Sequence, residues 1–131
     1  MTAMCLLFFG TVQAQNFNPK KNNYVVLSKN IKQLNPIMLT ASALAKEDGK
    51  KYGEFYVIIC GKTVKDISEN EAFKANLTKA EELGVKVFVC GLSLSKFKVS
   101  TNTLPEMLNV TKNGILFGFQ LSKKGFIALT I

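Results

Sequence analysis

The chain has 131 residues, of which 47% are hydrophobic, so it is long and apolar enough for one folded domain with a substantial core. Its formal net charge is +8, and all 17 basic residues are lysines. The lack of arginine removes the bidentate forks that sequence-specific nucleic-acid readers use, and the lack of histidine argues against a transition-metal site. The lysine surface still allows an acidic partner or an anionic ligand.

The first residues differ in composition from the rest. Residues 1–14 are uncharged, contain an apolar run over 4–9 and end on Ala14, which is typical of a secretory signal peptide. This predicts export of a bacterial protein to the periplasm or medium, with Cys5 removed, although the usual positive start is missing. The alternative is a buried first strand in a cytoplasmic protein. The apolar run is too short to span a bilayer, and residues 15–23 are predicted to be a flexible leader.

Strand-like and helix-like segments alternate after the leader. Apolar runs predict strands over residues 24–28, 55–59, 85–89, 109–111 and 126–131. Helix signals predict helices starting at Asn35-Pro36, at a Ser68–Glu71 capping box, and over 91–98, 103–108 and 115–123. This alternation predicts one domain over 24–131, a three-layer α/β/α sandwich around a mostly parallel sheet of about five strands. The strand order is left open.

Two of the predicted strands end in a cysteine followed by a glycine, at Cys60-Gly61 and Cys90-Gly91. Both thiols are therefore expected at the carboxyl edge of the sheet, where open α/β domains bind ligands. Backbone N–H groups at a following helix start lower the pKa of a thiol, which makes Cys90 the leading candidate for a reactive site and Cys60 the second. The alternative is that both cysteines are buried and only fill space in the apolar core.

A disulfide between Cys60 and Cys90 requires their α-carbons to lie within about 7 Å. That is feasible if their strands are neighbours and difficult if the first strand lies between them. Gly61, Gly91, Ser93 and Lys96 surround the two thiols in the sequence and are predicted to line a ligand site. The acidic residues show no metal-ligand spacing, and no cofactor is predicted.

The region around Cys90 resembles a known family. Residues 82–94, ELGVKVFVCGLSL, are similar to the DsrE/DsrF-like sulfur-relay signature of a Gly-Val strand, Cys-Gly or Cys-Asn, and Ser-Leu. The family's closing pattern is similar to Leu104-Pro105, Asn113-Gly114, residues 119–121 and Gly125-Phe126. Residues 59–64 resemble the second-strand exit of the family, where a residue other than cysteine is usual at the position of Cys60. The resemblance covers residues 24–131.

The resemblance implies an α/β sandwich that forms homo- or hetero-oligomers, with Cys90 holding a persulfide passed between sulfur donor and acceptor proteins. Cys60 is then an auxiliary or resolving thiol. Two features depart from the family: the predicted export, and a loop over 96–99 that carries lysines in place of arginines. The alternative function is a non-catalytic oligomeric binding module with structural cysteines. A third hypothesis is an anion- or nucleotide-binding domain of flavodoxin-like shape.

Overall fold

The computed structural model describes residues 17–131, which form five strands and four α-helices. In chain order these are β1 (Asn22–Ser28), α1 (Leu34–Asp48), β2 (Tyr52–Ile59), α2 (Glu71–Glu82), β3 (Val85–Cys90), α3 (Gly91–Lys96), β4 (Asn109–Thr111), α4 (Gly114–Lys123) and β5 (Ile127–Thr130). None of the helices in these residues is long and apolar enough to cross a membrane. The signal peptide predicted over 1–14, with Cys5, lies outside the described residues.

All five strands are parallel and form one sheet in the order β4-β3-β2-β1-β5. This confirms the predicted α/β class, and it shows a fully parallel sheet where a mostly parallel one was expected. The order also answers the question that the sequence left open, because β2 and β3 are direct neighbours. The strands that carry Cys60 and Cys90 therefore lie side by side.

The helices cover both faces of the sheet and form a core on each. The larger core packs α1, α2 and α3 against one face through Leu34, Phe73 and Leu94. The smaller core packs α4 against the other face around Leu121 and Phe126. The chain steps from β1 to β4 in one direction with helices on the first face, and α4 then carries it back across the second face to β5. The connections after β3 and β4 thus leave on opposite faces, which is the topological position where open α/β sheets bind ligands.

Two helices begin at other residues than predicted. Helix α1 begins at Leu34, after a 3-10 turn whose cap is Asn30, with its side chain accepting from the Lys32 N–H at 2.9 Å. Helix α2 is capped by Asn70 and not by Ser68. An asparagine thus caps the 3-10 turn and helix α2, whereas α1 itself has no side-chain cap. The helix predicted over 103–108 is wrong, because the chain there makes only a short turn at Thr101–Thr103 before it enters β4.

The leader predicted over 15–23 overlaps the first strand, which begins at Asn22. Asn23 is only 2% exposed, and its side chain donates to the Asn18 carbonyl at 2.9 Å and accepts from the Glu54 N–H at 2.8 Å. The Phe17 ring packs edge-on against Phe126 at 5.0 Å between centroids. The described part of this segment is therefore attached to the domain by specific contacts.

Candidate thiol site

The two cysteines lie together at the carboxyl edge of the sheet. The register pairs Ile59 of β2 with Val89 of β3, so the next residues, Cys60 and Cys90, are neighbours on adjacent strands. Both side chains face α4 in the smaller core, and both are free thiols that are 6% and 3% exposed. The sequence predicted the edge correctly, and the strand order brings the pair together.

The sulfur of Cys90 lies among groups that favour its ionised form. The Gly114 N–H at the start of α4 donates to its Sγ at 3.2 Å. The backbone N–H and hydroxyl of Ser93, and the Cys60 thiol, also lower the pKa of Cys90. Helix α4 is capped by the Asn113 side chain, which accepts from the Leu116 N–H and leaves the Gly114 N–H to the sulfur. The positive end of the α4 dipole therefore points at Cys90.

These contacts give the two thiols opposite ionisation preferences. Burial raises the pKa of Cys90, but the hydrogen bonds from Gly114, Ser93 and Cys60 outweigh burial and hold that pKa below its ordinary value of 9.0. Burial, the negative charge on Cys90 and the hydrogen bond to it raise the pKa of Cys60 to about 12, against a smaller opposing effect of Lys29. The pair thus ionises at Cys90, with Cys60 as a neutral donor beside the thiolate.

Ser93 and Gly61, both predicted ligand-site residues, form a relay to Cys90. Gly61 has a backbone φ of +87°, a conformation that favours glycine, and its N–H donates to the Ser93 Oγ at 2.8 Å. The Ser93 hydroxyl in turn lowers the pKa of Cys90. These two residues therefore orient the thiolate, and whether either also contacts a ligand stays a prediction.

Gly91 brings the exit of β4 close to the site. A Cβ at this position would lie 3.0 Å from the Lys112 carbonyl oxygen, and the neighbouring Leu92 N–H donates to that same oxygen at 3.0 Å. This contact fixes the β4–α4 loop and hence the start of α4. Gly91 therefore lets its own backbone and the backbone at the exit of β4 approach each other closely.

Gly114 is the site residue that the sequence reasoning did not single out. A Cβ there would meet the Cys60 Sγ at 2.7 Å, the Ile58 Cγ2 at 2.9 Å and the Cys90 Cβ at 3.0 Å. Only glycine lets the N-terminus of α4 rest directly on the two thiols. The signal available was the Asn113-Gly114 pair, a helix cap followed by a glycine, which was noted as part of a family pattern and not as part of the site.

The lysine that acts on the thiols is not the one that the sequence predicted. The exposed Lys96 places its Nζ over the ring of Phe97, 5.7 Å from the centroid, and it has no described part in the ionisation of either thiol. Lys29 acts on Cys60 instead, and it follows β1 at the same edge. Lys62 and Lys112 follow β2 and β4. The carboxyl edge around the thiols is therefore basic.

An apolar surface lies on the far side of α4 from the thiols. A cleft of about 310 Å³ runs between α4, β1 and β5, and neither Cys60 nor Cys90 lines it. Large apolar side chains that are 45% to 66% exposed continue it across α4 and the edge strand β5: Ile115, Leu116, Phe119, Ile127, Leu129 and Ile131. Among residues 17–131, no cluster of acidic, cysteine or histidine side chains forms a metal-site geometry.

Comparison with solved structures shows the same fold in proteins of unknown function. A protein from Methanobacterium thermoautotrophicum superposes with a TM-score of 0.68 at 11% identity, over 85% of this chain and 99% of that one. A conserved protein from Bacteroides thetaiotaomicron gives a TM-score of 0.63 at 17% identity, over 84% and 95% of the two chains. No protein-family model and no curated protein matches the sequence. At these identities the likeness establishes the fold alone.

Proposed function

We propose that this protein carries sulfane sulfur as a persulfide on Cys90, as its resemblance to the DsrE/DsrF-like family implies. The observation that supports this most is the set of donors around the Cys90 sulfur, from Gly114, Ser93 and Cys60. Thiolates and not thiols attack sulfane sulfur, so a site that lowers the pKa of Cys90 raises the thiolate fraction and favours the reaction. The main-chain and side-chain donors thus do what a histidine base does at other sites.

The same donors suit the persulfide that follows. Attack of the Cys90 thiolate on the outer sulfur of a donor forms a Cys–S–S⁻ group and releases the donor as a thiolate. The negative charge then lies one atom further out. The Gly114 N–H and the positive end of the α4 dipole lie next to that charge and favour it.

The surroundings favour a small anionic sulfur donor. Cys90 is 3% exposed, but Gly61, Gly91, Ser93 and Asn113 above it are half-buried, so the thiol lies directly beneath the surface. The lysines at the exits of β1, β2 and β4 attract anions to this edge. Low-molecular-weight persulfides and inorganic polysulfide meet both conditions.

The test is intact-protein mass spectrometry after anaerobic incubation with glutathione persulfide. The full chain should be used with Cys5→Ser, so that Cys60 and Cys90 are its only thiols. The added sulfur is expected in the Cys60→Ser variant of this background and is expected to be lost in Cys90→Ser. A Cys90→Ser protein that still gains sulfur would contradict the assignment to Cys90.

A second proposal concerns the apolar surface of α4 and β5, defined by the six exposed side chains given above. We infer that a second copy of this chain covers this surface. Within residues 17–131, β5 is an edge strand of the sheet and its residues are exposed on both faces, so it can pair with the same strand of another copy. Contiguous apolar surface of this kind is uncommon on monomers and marks interaction sites. This supports the homo-oligomer expected from the resemblance, and it also suits the alternative of a binding module.

Export stays a proposal that rests on residues 1–14 alone. Edman sequencing of the protein recovered from the periplasm or medium of an expressing bacterium tests it. A new N-terminus at Gln15 is expected, and an intact Met1 in the cytoplasmic fraction would favour the alternative location.

A further inference from the structure

The persulfide-carrier function does not require Cys60. Its side chain nevertheless lies next to Cys90 on the neighbouring parallel strand, on the same face of the sheet. A Cβ at Gly114 would lie 2.7 Å from the Cys60 Sγ and 3.0 Å from the Cys90 Cβ, so the two side chains share one small space under the start of α4. Each also shifts the pKa of the other. A second thiol this close to a sulfur-carrying cysteine can react with it.

The backbone geometry permits a bond between the two sulfurs. Neighbouring strands lie about 4.8 Å apart, and disulfides join residues whose α-carbons are about 4.4–6.8 Å apart. The missing side chain at Gly114 lets α4 pack onto both thiols without separating them. The bridge therefore needs side-chain rotation and no movement of β2 against β3.

We propose that Cys60 resolves the persulfide on Cys90, so that sulfide is released and a Cys60–Cys90 disulfide remains; this rests on the carrier function proposed above. In the step, the Cys60 sulfur attacks the Sγ of Cys90, and the bond between that Sγ and the outer sulfur breaks. The proton of the Cys60 thiol goes to the outer sulfur, which leaves as HS⁻. The sulfane sulfur is reduced to sulfide and the two cysteine sulfurs are oxidised to a disulfide, so no other oxidant takes part.

The environment of Cys60 makes it a delayed resolving thiol. It is buried, and its raised pKa keeps it protonated beside the Cys90 sulfur before the persulfide forms. The outer sulfur of the persulfide then accepts that proton. A dithiol reductant then returns the disulfide to two thiols, and the cycle as a whole converts persulfide to sulfide.

The experiment follows the fate of the added sulfur in the Cys5→Ser background. The protein is loaded anaerobically with a stoichiometric amount of glutathione persulfide and desalted, and free sulfide is trapped with monobromobimane. The background protein is expected to release one sulfide per chain and to end two hydrogen atoms lighter, with Cys60 and Cys90 in one cross-linked peptide. The Cys60→Ser variant is expected to keep the added sulfur and to release no sulfide.

The outcomes separate this inference from the carrier function. If both proteins gain sulfur and both keep it, Cys90 carries sulfur and the resolving role of Cys60 is overturned. If neither protein gains sulfur, the carrier function and the inference fail together. Should Cys60→Ser not fold, judged by its melting transition, Cys60→Ala replaces the thiol with a small apolar side chain and gives the same comparison.

Discussion

Ser93 connects the exits of β2 and β3 through one hydroxyl group. It accepts from the Gly61 N–H at 2.8 Å and lowers the pKa of Cys90, so it links the ends of both strands. A hydroxyl held in this way is already oriented, so it loses little further conformational entropy when the thiolate forms. Apart from the two cysteines, Ser93 is therefore the side chain whose mutation we expect to change the reactivity of Cys90 most directly.

We expect Ser93→Ala to slow alkylation of Cys90 by iodoacetamide about tenfold at neutral pH, because one hydrogen bond to a charged group is worth about 1.5 kcal/mol. The alkylation profile should also move to higher pH, since the lost donor favoured the ionised thiol. Rates are measured across pH in the Cys5→Ser, Cys60→Ser background. Ser95→Ala is the matched control, because Ser95 is exposed on the same helix. Equal rates for the two variants would show that the hydroxyl has no such effect.

The site was only partly predictable from the sequence. The strand–Cys–Gly pattern identified Cys60 and Cys90, because parallel strands bring their carboxyl ends to one edge whatever their order. The contact between the two thiols depends on the neighbouring positions of β2 and β3, which no local pattern specifies. The contributions of Lys29 and Gly114 come from elements far away in the chain and follow only from the three-dimensional packing.

At the level of elements, α4 has two glycines with opposite requirements. A Cβ at Gly114 would lie 2.7 Å from the Cys60 Sγ, whereas one at Gly118 would meet only the Ile58 Cδ1 at 3.9 Å, an ordinary contact. Alanine normally stabilises a helix relative to glycine. The same substitution in one helix should thus have opposite signs at the two positions.

We expect Gly114→Ala to lower the free energy of unfolding by about 1–3 kcal/mol through overpacking. Gly118→Ala should raise it by about 0.5–1 kcal/mol. Urea denaturation at fixed protein concentration measures both. A stabilised Gly114→Ala protein would mean that α4 can shift away from the thiols without cost, which would contradict the tight contact described here.

The elements themselves were more predictable than their starts. Apolar runs indicated β1, β2 and β3, because a strand buried in the middle of a covered sheet leaves a mostly hydrophobic segment. The edge strands β4 and β5 were also placed, although most of their residues are exposed. Helix α1 begins at Leu34 without a side-chain cap, where Asn35 was the expected cap, and α2 is capped by Asn70, where Ser68 was expected. Ser68 and Asn70 are both good capping residues, and the sequence alone does not choose between them.

For the whole molecule, the apolar surface of α4 and β5 predicts self-association. Phe119→Lys should place a charge in the interface between copies and reduce the mass measured by light scattering to that of a monomer. Leu39→Lys is the matched control, since Leu39 and Phe119 are both 66% exposed and lie on helices at opposite faces of the sheet. If the unsubstituted chain is already monomeric at micromolar concentration, this surface does not join copies of the chain.

The donors to Cys90 have a further consequence for how the protein responds to ionic strength. Main-chain dipoles at the start of α4 act over one hydrogen-bond length, far inside the screening length of about 10 Å at 0.1 M salt. The net charge of +8 acts through solvent and is screened. Neutral iodoacetamide should therefore alkylate Cys90 at the same rate in low and high salt, whereas anionic iodoacetate should slow as salt rises. The fold then sets the intrinsic reactivity of the thiolate, and the salt-sensitive surface charge sets only how readily charged reagents reach it.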